Sequence, residues 1–162
     1  MFTAVLAAFT LAADKPALPE GWHGTWTGTM MVTNAADKRT EVPVVMEIGP
    51  AKDGKGFTWK TSYGEGDKKV VKDYVLVPDG EKPGRFVVNE KNGIGLAARL
   101  VDGVMYSTFE VGGAVLTARY ELRDKTLRFE ITSAKAAKEK TGNGQVQDYP
   151  VDVVQVAELK KK

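Results

Sequence analysis

Cysteine is absent, which removes structural disulfides, thiolate metal sites and any lipid anchor that needs an N-terminal cysteine. Histidine occurs once, at His23, so nucleophilic triads built on histidine and multi-histidine zinc sites are excluded. Net charge is nearly absent as well: 23 Lys and Arg against 21 Asp and Glu leave +2, and nothing in that balance points to nucleic acid or an anionic membrane. Lys135, Lys138, Lys140 and Lys160 to Lys162 read as solvated charges, because no aromatics interleave with them as a single-strand nucleic-acid surface requires. Long apolar runs are missing except for Phe2 to Ala13, which is too short to span a bilayer as a helix.

That run ends in small residues and meets Asp14-Lys15-Pro16 at once, as the h-region and cleavage site of a secretory signal do. We read residues 1–13 as a signal peptide and expect a periplasmic or secreted mature protein. The chain opens Met1-Phe2 without the usual basic n-region, and the alternative is a buried N-terminal helix. Residues 14–20, with Pro16 and Pro19, read as an extended lead-in to a single domain over 21–162. A domain of about 150 residues buries roughly 70% of its unfolded surface, so no staple is required.

What the chain has instead is period-two alternation. In Gly24-Thr25-Trp26-Thr27-Gly28-Thr29-Met30-Met31-Val32, Trp26, Met30 and Val32 share one face and the threonines the other. Gly28 falls on the Trp26 face, where a glycine marks close approach or a bend. Further alternating segments follow: Glu41 to Ile48, Phe57 to Tyr63, Lys69 to Val77, Arg85 to Asn89, Ile94 to Leu100, Val104 to Val111, Ala114 to Leu122, Leu127 to Ile131 and Val151 to Leu159. The fourth leaves two facings open, Tyr74 with Leu76 or Val71 with Val75 and Val77. Turn signals such as Asp53-Gly54, Asn92-Gly93, Asp102-Gly103 and Gly112-Gly113 separate the segments, which favours adjacent antiparallel strands over crossovers through helices. Ser133 to Lys140 is the one candidate helix, and reads equally as a solvated loop. The fold expected is all-β, an up-and-down antiparallel barrel of about eight to ten strands, a size that can enclose one small ligand.

Gly24-Thr25-Trp26, early in such a chain and after an irregular lead-in, resembles the Gly-x-Trp signature that opens the first strand of lipocalins and their calycin relatives. The resemblance implies that Trp26 plugs the closed end of the barrel and that the open end takes a small, usually apolar ligand. In lipocalins an Arg from late in the barrel covers the Trp; here the last strand offers Gln155 and no Arg. Asn34 to Lys38 is too short for the helix pair that caps fatty-acid-binding proteins.

The candidate ligand-binding residues are Trp59, Tyr63, Tyr74, Phe86, Arg99, Phe109 and Tyr120, with Trp26 as structural plug. The aromatics equally suit a filled core. Glu90, in phase with Phe86 and Val88, and Arg99, with small Gly95 and Ala97 at the alternate positions beside it, are candidates to orient a polar head at the mouth, or else to face solvent. His23 reads as a surface residue beside Trp22, a haem-ligand role being opposed by its place at a strand entrance. Lys140 to Gly144 has P-loop residue types in the wrong order, and the Asp-Gly pairs lack the alternating ligands of a calcium loop. No catalytic, metal or cofactor site emerges. The leading reading is a binding module for a small apolar or aromatic molecule; the second is an interaction or inhibitor protein working through its loops on a filled barrel. An enzyme comes third, and would need an acid and base such as Glu90 and Tyr74 brought together.

Overall fold

The computed structural model describes residues 17–80, 82–138 and 140–162. The signal-like run and the first part of the lead-in lie outside the described residues. Ten strands follow one another around a closed barrel: β1 (Gly24–Thr33), β2 (Arg39–Pro50), β3 (Phe57–Tyr63), β4 (Val70–Pro78), β5 (Arg85–Asn89), β6 (Gly95–Val101), β7 (Val104–Val111), β8 (Ala114–Arg123), β9 (Thr126–Lys135) and β10 (Val151–Lys161). Each pairs antiparallel with its neighbours in sequence, and β1 pairs with β10 to close the ring; the ladders are shortest between β4 and β5 and between β6 and β7. Alternation along each strand then sends one residue set into the lumen and the other to the outer wall.

The lumen is divided by depth. The end that holds the start of β1 and the end of β2 is packed solid with Trp22, Trp26, Met46, Phe86, Leu127 and Leu159, all buried. A 3₁₀ turn, Glu20–Trp22, crosses this end and inserts Trp22, whose ring stacks on Trp59 at 6.1 Å. Leu18 is buried with them, so the described end of the lead-in is part of the core, not a free extension.

Trp26 is 1% exposed, and its Nε1 donates to the Trp22 carbonyl at 2.9 Å, tying the turn to the first strand. Lys161, the register partner of Trp26 on β10, places its Nζ 5.2 Å from the centre of the indole ring. The last strand therefore does set a cation over the tryptophan, two residues beyond the Leu159 at which its sequence pattern stops. Lys161 is exposed, as the sequence reading has it, and its stem lies against Gly24 as well. Gly24 makes this arrangement possible: its φ is 141°, and a Cβ there would run into the Lys161 side chain.

Gly28 serves the ring closure itself. A Cβ at this position would stand 2.5 Å from the Glu158 carbonyl oxygen on β10, a backbone atom that cannot swing aside. Gly28→Ala is expected to lower stability by about 1–3 kcal/mol, the usual cost of overpacking. A denaturant midpoint equal to wild type would show that β1 and β10 are not held this closely.

Two local expectations are settled differently. The candidate helix Ser133 to Lys140 is absent among the described residues: β9 runs on through Lys135, where Ala114 pairs with it, and an irregular loop follows. In that loop the Ala137 N–H donates to Asp148 O at 2.8 Å and Gln147 Nε2 donates to Ala137 O at 3.0 Å. In β4 the open choice goes to Tyr74 and Leu76, with Leu76 fully buried and Val71 out in solvent.

Candidate functional site

The other half of the lumen is hollow. A cavity of about 890 Å³ opens at the end that carries the β3–β4, β5–β6, β7–β8 and β9–β10 loops. Its wall is mostly apolar and aromatic, with Met30, Val42, Leu96, Met105, Leu116 and Ile131 between the rings. Apolar surface continues to the rim, where Val70, Ile94 and Val111 line the mouth and are exposed. Isolated exposed apolar residues are ordinary, but these belong to the same surface as the cavity wall.

Trp59 forms the floor. It is 3% exposed, backed by Trp22, and meets the Tyr120 ring edge-on at 5.1 Å; Tyr120 in turn lies 5.6 Å from Phe129. Polar groups on the wall are few. Thr61 and Ser107 are buried, and Ser107 Oγ is already spent on the Ala97 carbonyl at 2.7 Å.

Of the residues singled out by sequence, Trp59, Tyr63, Tyr74, Phe109 and Tyr120 line this cavity. Phe86 and Arg99 do not. Phe86 points inward as its alternation requires, but near the closed end, where it is 1% exposed and packs edge-on against Phe57 at 6.5 Å. Arg99 has the opposite parity to inward Ala98, so it stands on the outer wall beside Arg85 and Tyr106. His23 is half-buried rather than a surface residue, its ring 5.7 Å from Phe57 at the closed end and outside the cavity. Lys72, Gln155 and Glu110 also line the cavity. Parity marks Gln155; Glu110 is out of phase with Phe109 and reaches the cavity only at the rim. Among the described residues no three His, Asp or Glu side chains cluster as metal ligands would. No described helix is long and apolar enough to cross a membrane.

Tyr74 and Glu90, the pair that sequence spacing could not bring together, are cross-strand neighbours. The β4–β5 ladder sets Leu76 against Val88 and Val75 against Asn89, and one further step sets Tyr74 against Glu90. Burial, and then the Glu90 carboxylate beside it, push the Tyr74 phenol from 10.0 up to about 12. Burial also raises Tyr63 and Tyr120. A phenol with a raised pKa keeps its proton in the folded state after the unfolded chain has begun to lose it. Its contribution to stability is therefore complete below pH 10 and is lost as pH rises toward about 12. We expect wild type and Tyr74→Phe to keep a constant difference in denaturation midpoint up to about pH 10, and the wild type to lose ground above it. A difference that stays constant across that window would contradict the placement of Tyr74.

No family model matches the chain, and no curated protein matches it either. Among solved structures it is similar to a protein of unknown function from the DUF3598 family of Nostoc punctiforme, at 13% identity and a TM-score of 0.63. That match covers 96% of this chain and 53% of the other, so the chain spans about half of that protein's length. It is similar also to the S-type phycobiliprotein lyase of Guillardia theta, at 11% identity and a TM-score of 0.62 over 88% of this chain and 89% of that one. A mutant of the fluorescent protein UnaG aligns at 13% identity and a TM-score of 0.45, over 88% and 96%. What the chain shares with the first two of these structures is the fold.

Proposed function

We propose that this calycin-like barrel is a small-molecule-binding protein that holds one apolar or aromatic molecule in the open half of its lumen. The observation that carries the reading is the cavity of about 890 Å³, open at one end and walled by apolar and aromatic side chains. Sites for small ligands fall in the range of about 300–1,000 Å³ and share this mostly apolar lining with a few polar groups. A barrel of similar outline is a phycobiliprotein lyase, a precedent for functional use of the fold. The hollow also favours this reading over loops acting on a filled barrel. Titration with diphenylhexatriene, an apolar rod that fluoresces when taken out of water, tests it. Saturation at one probe per chain is expected; a linear, unsaturable response would remove the reading.

The place of action is proposed from the sequence. Phe2 to Ala13 serves as an export signal, so the mature chain begins near Ala13 or Asp14 and works in the periplasm or outside the cell. N-terminal sequencing of protein from its own source tests this, and a chain that still carries Phe2 would end it.

A further inference from the structure

Building on the binding reading above, we propose that the row Trp59, Tyr74 and Glu90 selects an organic cation: an apolar body that carries a protonated or quaternary nitrogen. Trp59 is the register partner of Tyr74 across β3 and β4, and Glu90, the residue just past the end of β5, lies beside the Tyr74 phenol. All three line the cavity, so one transverse row presents two π systems and a carboxylate to whatever lies in the lumen. Aromatic faces beside an acid attract cations and repel anions.

Glu90 is also a charge without a partner. It is half-buried beside apolar Val88 and Ile94, and makes no ion pair among the described residues. Asn92 Nδ2 donates to its Oε2 at 3.3 Å and the Tyr74 phenol lies beside it; both are neutral donors, and they leave acceptor capacity to spare. Half-burying an acid without a cation carries a desolvation cost, and a cationic ligand would offset it.

The opposing feature is Lys72, which lines the mouth one row farther out as the register partner of Thr61. It is exposed and keeps its hydration, and with Glu110 also on the wall the ionised lining is two acids against one base. The balance and the burial both favour a cation.

The test uses three probes with one chromophore: diphenylhexatriene, its trimethylammonium derivative and its propionate derivative. The cationic form should bind the wild type at least about tenfold tighter than the anionic form, a preference that shrinks as salt is added. Glu90→Gln should erase most of that preference, and a denaturation midpoint close to that of the wild type reports an intact fold. Equal or tighter binding of the propionate, lost in Lys72→Gln, would overturn the inference while the binding reading stands. So would a cation preference that survives Glu90→Gln. If none of the three probes binds, the binding reading fails and the inference falls with it.

Discussion

Trp26→Ala should cost about 3–5 kcal/mol of stability, the usual range for truncating a fully buried large aromatic. For a domain of this size that corresponds to a fall in Tm of roughly 6–20 °C. Three effects act together. The indole leaves a cavity at the packed end among Trp22, Met46 and Leu159. Its Nε1 no longer satisfies the buried Trp22 carbonyl, so the turn across the barrel end loses its tie. Lys161 loses the π face beneath its ammonium. Trp26→Phe separates these, because it restores much of the volume without the hydrogen bond, and it should cost less than half as much. A loss below about 1 kcal/mol for Trp26→Ala would mean that this end of the barrel is not the packed plug described here.

Ala118→Trp should weaken binding of diphenylhexatriene by about a hundredfold. Ala118 lies on β8 between Ser107 and Ile131, is buried, and faces the cavity. An indole grown from it takes up room in the hollow. If a ligand thereby forfeits roughly 100 Å² of apolar contact, the loss at about 25 cal/mol per Å² is near 2.5 kcal/mol. The fold should suffer little, because the added atoms enter empty space. Ala97→Trp, two strands over on β6 and on the exposed outer wall, is the matched control and should leave affinity unchanged. Equal affinity for the two variants would place the probe somewhere other than the lumen.

These two variants replace a comparison that sequence alone suggests. Trp59, in phase with Phe57 and Tyr63, reads as a lumen residue whose loss would harm binding more than folding. The structure gives it both roles, since it floors the cavity and is clamped by Trp22 below and Tyr120 beside it. Truncating it would strike the core as well, so a filled lumen is a cleaner probe of binding than a missing floor.

Most of the fold was legible because a closed barrel writes its inside and outside into period two. Trp26, Met46, Trp59, Leu76, Phe86, Phe129 and Leu159 point inward where their alternation puts them. What parity cannot encode is depth along the barrel axis. Phe86 and Tyr74 obey the same rule, yet one lies in the solid end and the other in the hollow, because β5 enters at the closed end and Tyr74 is four residues short of the end of β4. Arg99 was out of phase with Leu96, Ala98 and Leu100, and its small neighbours Gly95 and Ala97 are on the outer wall with it. Strand ends were the other weak point. Lys161 lies past the last apolar residue, so nothing in the hydrophobic pattern signals that its stem folds back over Gly24 and Trp26.

The most direct test of the central claim is a crystal structure with diphenylhexatriene bound. The chain offers the probe a second place to lodge, a shallow hollow of about 530 Å³ on the outer wall between Met31, Val154 and Val156, flanked by Arg39 and Arg128. Density is expected for one probe inside the barrel, in contact with Trp59, Tyr63 and Tyr120, and none in the outer hollow. Density on the outer wall with an empty lumen would contradict the claim.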